Sequence, residues 1–207
     1  VQPTSPSAVA PLPNTGERCV PDATHPSDRV LLEHVSRYAW AVAALRARPR
    51  HVLDAPCGAG YGTQLLARGG HQVVGLDVDP NAVAYARARY PHERARFRVA
   101  DLTGPGLGGP FDAVVCFEGI EHVRDQATAA ANLCKALVPG GTLLVSTPHP
   151  GMPGAGSPYH VHEPELGAFV ELFAPHLHTL RLAGQIKQPG DATLGEAWYV
   201  LLVGRTA

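Results

Sequence analysis

The chain alternates between two hydrophobic periods. From Ser27 the run SDRVLLEHVSRYAWAVAALRAR places apolar side chains at Val30, Leu31, Val35, Tyr38, Ala39, Val42 and Leu45. That spacing predicts a helix, with Ser27 or Asp28 able to cap it and Pro49 to end it. After it, short apolar runs predict strands at HVLDA (51–55), HQVVGLDVD (71–79), ARFRVAD (95–101), FDAVVCFE (111–118) and TLLVSTP (142–148). Between them YGTQLLARG, NAVAYARARY and the run from Asp125 to Leu137 read as helices, with Pro80 suited to a first helical turn. TGPGLGGP stands as a loop where a crossover helix is usual. PELGAFVELFAP predicts a last helix, and LHTLRLAGQ and EAWYVLLVGRT predict two closing strands, antiparallel to each other.

Alternating β and α units imply an α/β fold with a doubly wound, mostly parallel, Rossmann-like sheet. The expected order of its seven strands is 3-2-1-4-5-7-6, with a ligand cleft at the carboxyl ends of strands 1 and 4. Residues 1–16, rich in Pro, Ser and Thr, are expected to form a disordered arm. Residues 17–207 form one domain, in which 17–49 is a helical lid segment and 50–207 the core.

Composition narrows the classes. The 207 residues are 45% hydrophobic and carry a net charge of −1. That is an ordinary globular balance, with no global electrostatic attraction to nucleic acid. Arg94, Arg96 and Arg98 alternate with apolar residues, as one charged face of an edge strand does. No apolar run reaches the roughly 20 residues of a membrane span, and the N-terminus has no signal-peptide pattern. Cys19, Cys57, Cys116 and Cys134 form no CxxC pair and read as small buried hydrophobes of a reducing compartment, so a cytoplasmic location is expected.

The candidate chemistry lies at strand ends. VLDAPCGAGYG has Gly58 and Gly60 where a dinucleotide loop needs them, but Thr63 in place of the third glycine. Asp54, before the glycines, would repel a pyrophosphate and suit a cationic amino group or sulfonium. Asp77 ends strand 2, where a carboxylate can accept from two ribose hydroxyls. Asp101 ends strand 3 and can accept from an adenine amino group. CFEGIEHV adds Glu118, Glu121 and His122 after strand 4.

An acid before the glycines and an acid after each of strands 2, 3 and 4, in that order, resemble the class I S-adenosylmethionine-dependent methyltransferases over about residues 50–150. Pro56 departs from the glycine many members have there. The resemblance implies S-adenosylmethionine as cofactor. It implies that Asp54, Ala55, Gly58 and Gly60 surround the methionine portion, Asp77 and Val78 the ribose, and Asp101 and Leu102 the adenine. It implies also that Glu118 meets the amino group and that Arg37 or Tyr38 of the lid covers the methionine carboxylate, a core role for Tyr38 remaining open.

On a helical turn, Glu118, Glu121 and His122 would share one face at i, i+3 and i+4. Two carboxylates and an imidazole are a partial shell for Mg, Mn, Fe or Zn. A fourth ligand can come from SPYHVHEPEL, with His160 first and His149 and His162 as alternatives. ExxEH followed by a later histidine resembles the ubiquinone-pathway O-methyltransferases and the small-RNA terminal 2′-O-methyltransferases. By that resemblance Glu118, Glu121, His122 and His160 hold a divalent metal that chelates the acceptor. The other reading is metal-free, with His122, His160 or His149 as the base.

The expected function is methyl transfer to a small molecule, on oxygen with metal assistance. The acceptor would be a secondary-metabolite or sugar-like compound, as in antibiotic biosynthesis. The alternative is metal-free N-methylation of an amino sugar or related amine. A non-catalytic S-adenosylmethionine-binding protein is the reading from another class. No nucleic-acid or membrane partner is expected, and monomer and homodimer stay open.

Overall fold

The computed structural model describes residues 10–13, 18–48, 50–153 and 155–207. Eight strands form one sheet: β1 (His51–Asp54), β2 (Gln72–Asp77), β3 (Ala95–Val99), β4 (Phe111–Phe117), β5 (Leu137–Pro148), β6 (Thr179–Gln185), β7 (Pro189–Ala192) and β8 (Tyr199–Arg205). Their order is β3-β2-β1-β4-β5-β8-β6-β7. The first five run parallel, and β8 pairs antiparallel with both β5 and β6. This is the expected arrangement with one strand added. β7 pairs antiparallel with β6 at the edge. Its sequence, PGDA, has no apolar alternation, so only pairing to β6 makes it a strand.

Among the described residues five α-helices flank the sheet: α1 (Arg29–Leu45), α2 (Tyr61–Arg68), α3 (Pro80–Arg89), α4 (Gln126–Lys135) and α5 (Leu166–Phe173). Asp28 caps α1 by accepting from the Leu31 N–H at 3.2 Å, one of the two caps expected. Pro49, the expected stop, lies outside the described residues, and α1 ends at Leu45. Helix α4 ends at Lys135 rather than Leu137. Leu137 already pairs with Phe111, and β5 passes a register shift before Thr142.

Successive residues of the central strands face opposite layers. Leu53, Val114 and Cys116 join the core with Phe169 and Phe173 of α5 and Leu133 of α4. Val52, Ala113, Val115 and Phe117 join the layer holding Tyr38, Ala41 and Leu45 of α1 and Leu66 of α2. By the same alternation Asp54 faces α1 and α2. Burial on both faces is why these strands read as unbroken apolar runs.

Most of the expected arm at 1–16 lies outside the described residues, which include only 10–13 of it. Leu12 is buried and packs with Val20, Ala59, Ala82, Tyr85 and Tyr90. Arg18 pairs with Asp79 at 2.6 Å, and Asp22 pairs with Arg89 and accepts from Tyr85 Oη. The segment before α1 is therefore strapped to α3. On the edge strand β3, Arg98 donates to the Leu107 carbonyl and Arg96 to the Ala95 and Glu93 carbonyls, while Arg87 of α3 donates to the Phe97 carbonyl. No described helix is long and apolar enough to cross a membrane.

Candidate active site

Two clefts open at the carboxyl ends of β1, β2, β3 and β4 and share the wall formed by Pro56, Asp77, Val78 and His122. The first has a volume of about 300 Å³ and runs from the glycine loop to Glu118, Tyr199, Ser157 and His160. The second, about 420 Å³, is bounded by Asp101, Leu102, Thr103, Gly119 and Val123.

The turn after β1 fixes the shared wall. Gly58 donates its N–H to Asp77 Oδ2 at 2.9 Å, and Asp79 donates its own to Asp77 Oδ1 at 3.0 Å. Asp77 is thus aimed between the clefts by backbone on either side. Gly60 begins α2 at φ 94°, and a Cβ there would lie 2.5 Å from the Ala86 methyl. Its role in the fold is the close approach of α2 to α3, and it lines neither cleft. Asp101 accepts from Thr103 N–H and Oγ, both at 2.8 Å, and stands with Leu102 in the second cleft. Val78, 65% exposed, lines both clefts.

Asp54 and Ala55 are buried and line neither cleft. Tyr38 donates to one Asp54 oxygen at 2.9 Å and Thr63 to the other at 2.6 Å. Burial raises the Asp54 carboxyl to about 7, against the lowering effect of these two hydrogen bonds. The expected direct role toward a cation is replaced here by a buried link between α1, β1 and α2. Tyr38 itself lines the first cleft and meets Phe117 and Tyr61 edge to face. Arg37, the other lid candidate, is fully buried behind the cleft. It donates to Gln185 Oε1 at 2.9 Å and lies over the Tyr199 ring at 4.4 Å.

Glu118, Glu121 and His122 do not share a helical face. Glu118 has φ 50°, a left-handed conformation that side chains seldom adopt, and the 3-10 turn starts only at Ile120. The Glu118 carboxylate accepts from Ser146 Oγ at 2.6 Å and lies 4.0 Å from Arg37 Nη2. It borders the first cleft but stands outside the metal-type cluster.

That cluster is Glu121, His122 and His160, each offering a donor atom within 4.8 Å of the others. Glu121 is fully buried. Thr147 donates to Oε2 at 3.3 Å, and Oε1 has no hydrogen-bond partner among the described residues. Burial, with Glu118 adding repulsion, holds its carboxyl well above the usual range. His122 Nδ1 lies 3.1 Å from the Tyr159 carbonyl and His160 Nδ1 lies 2.5 Å from Glu163 Oε1. Both partners are acceptors, so a neutral ring at either position donates from Nδ1. The segment bearing His160 is tied down by the Val161 and His162 N–H groups, which both donate to the Glu121 carbonyl. His149 and His162 are not in the cluster and line neither cleft.

Residues not singled out from the sequence complete the first cleft. His34 of α1 stands 3.1 Å from Tyr61 Oη through Nδ1, and burial lowers its basicity well below that of ordinary histidine. Tyr199 of β8 faces it from a strand far along the chain. A polar residue every turn in α1 was the only local signal, and it does not separate His34 from a surface histidine.

Residues 53–145 match the family described as methyltransferase domain. A probable S-adenosylmethionine-dependent methyltransferase of Mycolicibacterium smegmatis is 38% identical over 167 residues, covering 78% of this chain and 63% of that one. A ubiquinone biosynthesis O-methyltransferase of Xanthomonas axonopodis pv. citri is 37% identical over 129 residues, 59% of this chain and 51% of that one. The chain thus spans between about half and two thirds of the length of these relatives. Among solved structures, a TehB-like methyltransferase of Corynebacterium glutamicum superposes with a TM-score of 0.66 at 25% identity, covering 84% of this chain and 89% of that one. The matched segment runs from β1 into β5 and contains the glycine turn and every strand-end acid described above, and the sheet order is that of the resemblance. Over residues 53–145 the chain is thus a member of the methyltransferase-domain family, similar to S-adenosylmethionine-dependent methyltransferases.

Proposed function

We propose that this chain transfers a methyl group from S-adenosylmethionine to an oxygen of a small acceptor, with a divalent cation held by Glu121, His122 and His160. The observation that carries the metal is the Glu121 carboxylate. Buried, with one oxygen unpartnered and two imidazole lone pairs beside it, it is costly unless a proton or a cation neutralises it. The donor set suits such an ion: two nitrogens and one carboxylate, both rings oriented by acceptors on Nδ1. Glu118 is left out of the ligand set.

The cofactor fits the same wall. Asp77 keeps acceptor capacity for a ribose diol beyond its two backbone bonds, and Asp101 with Leu102 frames an adenine-sized cleft. When bound, S-adenosylmethionine supplies an electrophilic methyl on a sulfonium. The chain's own contribution is alignment and proton handling. Tyr38, Phe117, Tyr199 and Glu118 all line the first cleft, and aromatic faces with a carboxylate favour positive charge there. Holding two reactants in line contributes about 7–11 kcal/mol in favourable cases. The cation would lower the pKa of an acceptor hydroxyl so that its proton can pass to solvent. We place the acceptor between this aromatic wall and His160, beneath α1, so residues 17–49 act as a lid. A secondary-metabolite or sugar-like acceptor suits the mixed polar and aromatic lining. The mycobacterial and ubiquinone-pathway relatives support methyl transfer in general and the oxygen acceptor in particular.

A second reading, metal-free N-methylation, is favoured by one observation: His160 on Glu163 is a carboxylate–imidazole pair and can act as a base without a metal. Elemental analysis with a Mn²⁺ or Zn²⁺ titration separates the two. About one bound ion per chain, lost in His122→Ala, is the expected result. A chain that takes up neither ion leaves the histidine base.

A further inference from the structure

Glu163 lines neither cleft and offers no donor to the Glu121, His122 and His160 cluster. We infer that Glu163 is a positioning residue that fixes the proton of His160 on Nδ1 and so commits Nε2 to the site. The inference rests on the reading of His160 as part of the acceptor site.

The segment after β5 has little regular structure of its own, and Glu163 organises it. Its Oε1 accepts from both the Gly156 N–H and His160 Nδ1, each at 2.5 Å. Both side chains are nearly enclosed, at 12% and 14% exposure for His160 and Glu163. His160 also donates its backbone N–H to the Ser157 carbonyl at 3.0 Å, so the turn 156–163 closes on itself. From the other side the Glu121 carbonyl holds the Val161 and His162 N–H groups, at 2.8 and 3.2 Å. The imidazole is therefore held by a carboxylate at Nδ1, within a turn tied to the Glu121 carbonyl.

The chemical consequence follows from the inventory of atoms. An unperturbed neutral imidazole in water prefers its proton on Nε2, and a hydrogen bond at one ring nitrogen decides the tautomer. A carboxylate is acceptor-only, so the hydrogen on that bond is the ring's own. That leaves the lone pair on Nε2, the atom through which His160 would bind a cation or take an acceptor proton beside Glu121 and His122. Such outer partners of a ligating histidine commonly change metal affinity about 10–100-fold when removed. His122 is arranged the same way by a backbone carbonyl, which no substitution removes. Glu163 is the side chain through which the arrangement can be tested.

The test uses the whole chain labelled with ¹⁵N-histidine, free of metal, in wild-type form and as Glu163→Ala and Glu163→Gln. The His160 ring signals are assigned by their loss in His160→Ala. Binding of S-adenosylhomocysteine, read by calorimetry, verifies that each variant keeps its fold. Wild type is expected to show the Nδ1–H tautomer. Glu163→Ala is expected to shift His160 toward Nε2–H, and Glu163→Gln, whose side-chain oxygen still accepts, to retain Nδ1–H. Zn²⁺ affinity is expected to fall about 10–100-fold in Glu163→Ala and to recover largely in Glu163→Gln. An Nε2–H tautomer in wild type overturns the inference without any variant. So does an unchanged tautomer in Glu163→Ala, or a glutamine variant as impaired as the alanine one. A wild type that binds no Zn²⁺ yet shows Nδ1–H loses the metal reading and retains this one.

Discussion

Pro56 and Gly119 touch across the two strand ends that frame the site: a Cβ on Gly119 would lie 2.2 Å from Pro56 Cδ. The proline that departs from the family's usual glycine is thus matched by a glycine after β4. The same contact borders Glu118, whose left-handed backbone depends on how this turn packs.

Gly119→Ala should push the two turns apart. Overpacking of this kind costs about 1–3 kcal/mol. We expect a lower melting temperature and weaker S-adenosylhomocysteine binding, because Pro56 and Gly119 both line the second cleft. The double variant Pro56→Gly, Gly119→Ala should recover most of the loss. If the single variant melts and binds as wild type does, the contact is not tight.

Asp77 should hold the ribose. Asp77→Ala also removes the acceptor of Gly58 and Asp79 N–H, so Asp77→Asn is the cleaner variant. Losing charge-assisted bonds costs about 1.5–3 kcal/mol. Cofactor affinity by calorimetry should fall at least roughly tenfold with the melting temperature nearly kept. Equal affinity removes Asp77 from the ribose.

Asp54 predicts a pH dependence of stability. Its carboxyl is raised from 3.8 in an unfolded chain to about 7 by burial. The folded state then binds the extra proton between those values, so stability falls as pH rises through them and levels off above about 7. The full shift is on the order of 4 kcal/mol. Glu121 and Glu33 are shifted the same way, and comparison with Asp54→Asn cancels them. In denaturant titrations from pH 4 to 8, Asp54→Asn should gain on wild type as pH rises. A constant difference across the range would show that Asp54 titrates normally.

The ligand set predicts different outcomes for the two glutamates. Glu121→Gln should abolish uptake of Mn²⁺ or Zn²⁺, and Glu118→Gln should leave it intact while weakening cofactor binding. His122→Ala should lose metal and keep most of its S-adenosylhomocysteine affinity, since Asp77 and Asp101 stay in place. Metal content is read by elemental analysis. Equal loss of metal in both glutamine variants would return Glu118 to the shell.

Removing the chain up to Asp28 should test the lid. The strap buries Leu12 and Val20 on α3 and brings Arg18 to the first cleft. Truncation should leave a cooperatively folded core whose S-adenosylhomocysteine dissociates faster in stopped-flow. Wild-type retention of the ligand would mean that the strap does not cover it.

Local residue order already determined the frame. Apolar runs buried on both faces, alternating with amphipathic helices, specify parallel strands joined by crossovers, and the carboxyl ends of such strands meet at one edge. Asp77, Asp101 and Glu118 could therefore be assigned to one edge of the sheet from their places after apolar runs. The Asp28 cap and the loop before β4 were legible for the same reason, since neighbours in sequence decide them. What tertiary structure decided is the direction of individual side chains. Asp54 points away from the cleft because Tyr38 and Thr63, 16 and 9 residues distant, offer it hydroxyls. Glu118 leaves the helical register because Ser146 and Arg37 hold its carboxylate, from 28 residues ahead and from another helix. PGDA becomes β7 only against β6, and Glu163 matters only because the loop folds it onto His160. Periodicity encodes which face of an element is buried, and contacts between distant segments then settle which atoms meet.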